Sequence, residues 1–325
     1  MQFTDNVLNI LTAKTYRGIG KAWIVKNIKG NELIDELVNL LNQSIKEECT
    51  ISVPEFEERK QIICRQFEKL RGVVDGVTAI GDLSFPLHRG VVKNSEKPIV
   101  LFYRGNLSLL EKQNKNVAVI GLLDPDKDTE LFERKVVSTL VNHGVTILSG
   151  LALGCDSVAH QEALMSNGKT IAILPSPINS ILPKSNEMLA EEIVKKNGLL
   201  ISEYYEKANS KKQLNSRYVE RNRLQALFSD CVILSASYAE NSLGNDSGSR
   251  YAMNYALSYS IPRAIMYDFV LNANNSKYDL NRQLLKEDNT VIVISKDNME
   301  ESLKKILSVP SELPAKTWVQ KNLFE

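Results

Sequence analysis

The sequence predicts an α/β protein: a doubly wound, mostly parallel sheet with a small helical domain ahead of it. Three features predict this class. Short runs rich in Val, Ile and Leu recur from residue 116 onward, and several end at glycine or serine, the look of buried parallel strands. Between them lie stretches with apolar residues at helical spacing. Strands alternating with helices in this way form βαβ units with helices on both faces of the sheet. Residues 5 to about 70, by contrast, carry helical periodicity alone.

Val7, Leu8, Ile10 and Leu11 give the first helical face, and Leu33, Leu37, Leu40 and Leu41 repeat it. Between them, Thr15-Tyr16-Arg17-Gly18-Ile19-Gly20-Lys21 makes a tight interhelical turn. In helix-hairpin-helix modules such a turn offers backbone N–H groups to a phosphate. An ordinary turn between helices accounts for the same residues. Residues 72–106 are a transition, broken by Gly72, Gly76, Gly81, Pro86, Gly90 and Pro98. The boundaries that follow are a small helical domain over 1–75, a connecting segment over 76–110, the α/β domain over 111–309 and a tail over 310–325. Within the α/β domain the pattern predicts strands at 117–121, 145–148, 170–174, 198–202, 231–235, 263–267 and 290–294. Helices are predicted at 128–143, 156–167, 186–197, 218–228, 249–259, near 280–286 and at 298–307.

Lys plus Arg number 40 against 39 Asp plus Glu, so any contact with nucleic acid must come from a local patch and not from bulk charge. Cys49, Cys64, Cys155 and Cys231 are scattered, with no Cys-x-x-Cys pair. That spacing argues against structural zinc and a disulfide framework, and for reduced, mostly buried thiols. The start lacks the basic-then-apolar layout of a signal peptide, and no run approaches the ~18 apolar residues of a membrane span. The expectation is a cytoplasmic protein.

In an open parallel sheet, ligands bind outside the carboxyl ends of the strands. The first such loop, Gly121-Leu122-Leu123-Asp124-Pro125, is not a dinucleotide fingerprint, and no Walker-type phosphate loop occurs anywhere. The second is more informative: Ser149-Gly150-Leu151-Ala152-Leu153-Gly154-Cys155-Asp156-Ser157-Val158-Ala159-His160. Gly150 and Gly154 allow close backbone approach, the Ser149 hydroxyl can donate, and Asp156 falls at the start of a helix whose N–H groups suit phosphate. His160 has no nucleophile or carboxylate partner in sight, so Asp156 and His160 are expected to structure the loop. After the fourth strand, Lys207, Lys211, Lys212, Arg217, Arg221 and Arg223 are interleaved with Tyr204, Tyr205 and Tyr218. Cations for phosphates and aromatics for bases are what single-strand binding requires. Ser247-Gly248-Ser249 before a helix again suits an anion. The expected binding set is therefore Gly121, Ser149, Gly150, Gly154, Lys212, Arg217, Tyr218, Arg221, Asn222, Arg223, Ser247, Gly248 and Ser249, with no metal, cofactor or catalytic group.

These residues resemble a known family. Ser149-Gly150-Leu151-Ala152…Gly154…Asp156…Ala159-His160…Ala163-Leu164 is similar to a signature of the DNA-processing protein A (DprA/Smf) family. Gly81-Asp82…Phe85-Pro86, Leu101-Phe102-Tyr103-Arg104-Gly105-Asn106, Lys169 to Leu174, Pro183…Asn186…Leu189, Leu200-Ile201-Ser202-Glu203, Arg221-Asn222-Arg223 and Ser247-Gly248-Ser249 match in order. The resemblance implies an extended Rossmann-like fold that binds single-stranded DNA without turnover. It also implies a homodimer, and help in loading a RecA-type recombinase during DNA uptake and recombination.

The chain departs from the family pattern in places. Leu122 and Leu123 stand where a Ser/Thr-Arg pair is usual, Tyr218-Val219 where a Phe-Pro pair is usual, and Ser235 where a glutamate is common. The loop from Tyr238 to Asp246 looks longer than usual, and a C-terminal winged-helix-like domain is not expected. The chain thus reads as a divergent member, with a specialised defence role as one setting. Two other classes remain open on the sequence: a sensor of a nucleotide derivative, for which the missing first-loop arginine argues, and a phosphoribohydrolase of related fold. Against the latter, Gly244-Asn245-Asp246-Ser247-Gly248-Ser249-Arg250 lacks the expected glutamate.

Overall fold

In a computed structural model, residues 1–45, 50–240, 242 and 248–310 are described. Four helices come first: α1 (Asp5–Ala13), α2 (Lys21–Asn27), α3 (Ile34–Ser44) and α4 (Val53–Phe67). Thr4 and Ser52 cap α1 and α4 by accepting N–H groups of the first turn. Next come β1 (Gly76–Ala79) and β2 (Val100–Gly105), both within the stretch where the sequence pattern places no strand. The alternating part follows as β3 (Asn116–Ile120), α5 (Lys127–Asn142), β4 (Thr146–Ser149), α6 (Cys155–Met165), β5 (Thr170–Leu174), α7 (Glu187–Lys195) and β6 (Leu199–Ser202). It ends with α8 (Lys211–Leu227), β7 (Cys231–Leu234), α9 (Ser249–Ser258), β8 (Arg263–Met266), α10 (Asp279–Glu287), β9 (Ile292–Ile294) and α11 (Met299–Leu307).

Among the described residues the sheet has nine strands in the order β1-β2-β6-β5-β4-β3-β7-β8-β9. From β6 to β9 across the sheet every neighbouring pair is parallel, whereas β2 is antiparallel to β6 and β1 to β2. The expected doubly wound, mostly parallel sheet is thus the fold. Its two antiparallel strands escape the sequence pattern because glycines and a proline bracket them. They are short and take their order from pairing with β6, not from local periodicity.

Alternate residues of each strand feed different layers. Val117 and Val119 pack with Val136, Val137 and Leu140 of α5, while Ala118 and Ile120 pack with Leu224 and Phe228 beside α8 and with Met253 of α9. A third core joins the helical start to the sheet: Val7, Leu37, Phe56 and Phe67 pack with Val77, Phe102 and Leu200. Residues 1–75 therefore share a core with the sheet edge. Gln2 even extends it, donating its N–H to the Asp75 carbonyl and accepting from the Val77 N–H, each at 2.8 Å.

After β6 the chain crosses back over the sheet to form β7 on the far side of β3. The carboxyl ends of β3 and β7 therefore flank the topological switch point, where an open α/β sheet leaves a crevice. No helix among the described residues is long and apolar enough to cross a membrane. Cys155 and Cys231 are buried free thiols and Cys64 is a partly exposed one; Cys49 lies outside the described residues.

Candidate nucleic-acid interface

The loop after β4 is built by its glycines and by Asp156. A side chain at Gly154 is forbidden twice over: φ is +70°, and a Cβ would stand 2.2 Å from the Leu122 carbonyl oxygen. That close approach brings the loops after β3 and β4 into contact. Asp156 Oδ2 accepts the N–H groups of Gly150 and Ala152 at 3.1 and 3.3 Å. Asn186 braces the same loop from outside, donating to the carbonyls of Leu151 and Ala152 at 2.8 and 3.1 Å. Asp156 therefore ties the loop together through these two bonds, and Asn186 is an addition that only its place in the ordered matches could have flagged.

Gly150 is small for a different reason. The Arg221 guanidinium lies across it so closely that a Cβ there would fall 1.0 Å from Nη1. Arg221 is buried, and its one carboxylate neighbour among the described residues, Asp156 Oδ2, is 3.6 Å away and already accepts two N–H groups. Nε has no hydrogen-bond partner among the described residues. Burial pulls the guanidinium below its ordinary pKa and Asp156 opposes the shift. Gln225, with its amide turned to suit its neighbours, accepts from Arg221 Nη1 and Gly150 N–H and donates to Asn222 Oδ1, each at 3.1 Å. Asn222 Nδ2 in turn donates to the Gly248 carbonyl at 3.1 Å, and Ser249 Oγ donates to the Gly121 carbonyl at 3.2 Å. Gly121, Asp156, Arg221, Asn222, Gln225, Gly248 and Ser249 thus line one cleft. It encloses only about 20 Å³, enough for a single water. Ser247 lies outside the described residues.

Other expected members are elsewhere. The Ser149 hydroxyl is buried and donates to the Val119 carbonyl at 2.6 Å, tying β4 to β3 instead of facing a ligand. His160 is buried on α6 and pairs through Nδ1 with Thr170 Oγ1 at 2.6 Å. The Thr170 hydroxyl proton goes to the Ile147 carbonyl, so Nδ1 is the donor in that pair. His160 thus ties α6 to β5 and not the loop. Burial, with Arg221 nearby, lowers its pKa to about 3, so the ring is neutral.

The largest correction concerns residues 207–223, expected as a charged loop leading into a helix at 218. Helix α8 starts at Lys211, with the Ser210 hydroxyl accepting the Gln213 N–H as its cap. In a helix, side chains step about 100° per residue, so the basic residues part company. Arg221, Asn222 and Gln225 line the cleft, and by the same geometry Lys211 and Tyr218 fall on their stripe of the helix. Exposed Lys212 lies roughly 120° round from Tyr218 by the same geometry, which takes it off that stripe. Arg217 and Arg223 face the helical start instead. Arg217 donates to the Glu206 carbonyl at 2.6 Å and lies 4.1 Å above the Tyr204 ring. Arg223 is buried and donates from one Nη2 to both oxygens of Glu203. Lys21 sits 3.5 Å from Glu203 and 3.5 Å from Glu220, which accepts the Tyr204 hydroxyl at 3.2 Å. Burial would push Glu203 up, yet Arg223 and Lys21 hold its carboxyl below its usual range. Tyr205 packs between Phe67 and Phe102, at ring separations of 5.8 and 5.6 Å. Half of the basic-aromatic segment is therefore the seam between the helical start and the sheet. Lys21, which opens α2 directly after the Gly18-Ile19-Gly20 turn, serves that seam.

A sequence profile described as DNA recombination-mediator protein A matches residues 76–304. Protein Smf of Synechocystis is 37% identical over 139 residues, covering 42% of this chain and 34% of that protein. DNA processing protein DprA of Streptococcus pneumoniae is 36% identical over 131 residues, covering 40% of this chain and 44% of that one. Both matches thus span less than half of the relative's length. In three dimensions, the Streptococcus pneumoniae DNA processing protein A structure superposes with a TM-score of 0.66 at 25% identity, covering 93% of this chain and 99% of that one. DNA processing protein A of Helicobacter pylori, whose structure was described for its single-stranded DNA binding mode, superposes with a TM-score of 0.56 at 26% identity, covering 71% and 95%. With the ordered motifs, the fold and a profile match over most of its length, the chain belongs to the DNA recombination-mediator protein A family.

Proposed function

We propose that this protein binds single-stranded DNA at the switch-point cleft and acts in DNA processing and recombination without turning its ligand over. The observation that carries the reading is Arg221: among the described residues, a buried cation whose single carboxylate neighbour is distant and shared, with one N–H unpaired. A buried charge so poorly compensated gains from an anion. A phosphate lying over Gly121 and Gly248 supplies one. The cleft itself is too small for a nucleotide, so the strand lies across it, with Tyr218 placed to stack on a base and Lys211 to meet a neighbouring phosphate. Leucines replace the first-loop cation, so Arg221 carries more of the electrostatic share. His160, neutral and buried, and Cys155, its thiol pushed up by burial, offer no acid–base or nucleophilic pair at the cleft. A homodimer, a RecA-type recombinase and a cytoplasmic setting belong to the same reading.

Fluorescence anisotropy with a labelled oligonucleotide tests it. Binding is expected to favour single strand over duplex, to weaken with salt, and to leave the oligonucleotide intact. Absence of binding at low salt overturns the reading. Arg221→Ala is expected to weaken binding by about tenfold or more, across sequences, and to flatten the salt dependence by about one phosphate contact. Gly150→Ala should cause a similar loss, because its methyl group occupies the space of the guanidinium. Wild-type affinity in Gly150→Ala would show that Arg221 does not act from this position.

A further inference from the structure

Next to the cleft the fold buries an acid for which the binding reading has no use. Glu133 of α5 and its side-chain neighbours Cys155 and Ser235 are all fully buried. Among the described residues, neither carboxyl oxygen of Glu133 has a hydrogen-bond partner of full geometry, and the Ser235 hydroxyl has none either. An ionised carboxylate in such a place keeps the cost of leaving water without the bonds that offset it, so the neutral acid is the favoured form. The cluster reaches the cleft through the loop after β3. A Cβ built on Gly121 would stand 2.6 Å from Cys155 Sγ. The Cys155 N–H donates to the Leu122 carbonyl and the Ser235 N–H to the Ile120 carbonyl, each at 2.9 Å. Cys155 and Ser235 therefore hold the backbone on both sides of Gly121, and the Glu133 carboxyl meets both of them.

The charges around Glu133 give its ionised form little support. From α6, Cys155 and Asp156 face it; burial and Glu133 together push the Cys155 thiol up, so it stays neutral, while Asp156 repels a second carboxylate. Ser235, after β7, brings only a hydroxyl. On α5 itself Arg134 attracts it, but that guanidinium is engaged by Glu130 at 2.8 Å and Glu162 at 3.4 Å. Tyr278 lies beyond Thr129, its hydroxyl 2.8 Å from Thr129 Oγ1. Arg221 stands beyond Asp156, and these two are the charged residues among those lining the cleft.

We infer that Glu133 makes the cleft proton-dependent: a DNA phosphate binds over Gly121 while Glu133 is neutral, and ionised Glu133 repels it through that loop. The inference rests on the binding reading above. A phosphate adds a negative charge where one guanidinium already serves Asp156, and a carboxylate under the same loop would add another. In buried surroundings such repulsion is only weakly screened. The coupling is reciprocal, so a bound phosphate must strengthen the hold of Glu133 on its proton by the same factor. Burial brings the carboxyl up to about 8, which puts the change in affinity between pH 7 and pH 9.

Fluorescence anisotropy of the whole protein with a labelled adenine oligonucleotide at pH 7 and pH 9 tests this. Neither the phosphodiesters nor adenine exchange a proton in that range. A phosphate that raises Glu133 by one pH unit makes wild-type affinity fall about fivefold from pH 7 to pH 9. In Glu133→Gln the ratio of the two affinities is expected to be about one, because the amide keeps the shape and cannot ionise. Calorimetric titration at pH 8, in two buffers of different ionisation heat, gives a second readout. Wild type should take up a fraction of a proton per oligonucleotide bound, and Glu133→Gln none. Circular dichroism at both pH values confirms that the proteins are folded, which separates weaker binding from lost protein. Three results overturn the inference: equal wild-type affinity at the two pH values, the same pH ratio in both proteins, or wild-type binding without proton uptake. Absence of binding at pH 7 as well as at pH 9 overturns the binding reading itself, and this inference with it.

Discussion

Replacing Arg223 with alanine is expected to lower stability to urea by about 3–5 kcal/mol, while folded molecules keep their affinity for oligonucleotide. The cost arises on the carboxylate side. Glu203 is buried, and without Arg223 its nearest cation is Lys21 at 3.5 Å. A buried charge that loses its principal partner keeps its desolvation penalty without the attraction that offset it. Adding Glu203→Gln to the alanine variant should therefore restore much of the loss, which a simple cavity would not allow. Binding measured at low temperature, where the variant stays folded, separates this role from the phosphate contact that the sequence pattern gives Arg223. If stability is unchanged and affinity falls, Arg223 belongs to the DNA track after all.

The second large effect concerns pH. Glu133 of α5 is fully buried beside the Cys155 thiol and the Ser235 hydroxyl, yet neither of its oxygens makes a hydrogen bond of full geometry. Burial pushes its carboxyl up to about 8 from an ordinary 4.5. The folded protein therefore holds a proton that the unfolded chain releases between those values. Stability from this group is complete below pH 4.5 and is lost as pH rises toward 8, at about 1.4 kcal/mol per pH unit. His160 works in the other direction. Burial lowers its pKa from 6.5 to about 3, so its contribution is present above 6.5 and lost as pH falls toward 3. Between 4.5 and 6.5 the two slopes oppose one another, and from 6.5 to 8 only the Glu133 slope remains. Glu133→Gln keeps the shape without the titrating proton. Its stability is expected to match wild type near pH 4.5 and to exceed it by a few kcal/mol at pH 9. Urea midpoints measured from pH 4.5 to 9 check this, and parallel curves for the two proteins would show that Glu133 is not the titrating group.

Ser235 and Glu133 also show how a departure from the family pattern is absorbed. The sequence flags Ser235 as a small residue where a glutamate is common. In the structure a carboxyl from α5 comes to rest beside it, below the loop that carries Gly121. Periodicity could place Glu133 on a helix. It could not turn a charged residue toward the core, because that choice is made by Cys155 and Ser235, contributed from distant parts of the chain.

What the sequence determined by itself was whatever short-range chemistry controls. Short apolar runs and helical patterns placed the parallel strands and their helices. Gly150, Gly154 and Asp156 marked the loop that must approach β3, since a Cβ at either glycine has no room and the carboxylate has two N–H groups to accept. Tertiary structure decided which cations face a ligand. Arg217, Arg221 and Arg223 look equivalent along the chain, but a helix points them in different directions. One direction meets the switch-point cleft and the other meets Glu203 and the helical start. Only long-range packing sets what stands opposite each face, and a buried guanidinium takes its role from the carboxylate or phosphate it meets there.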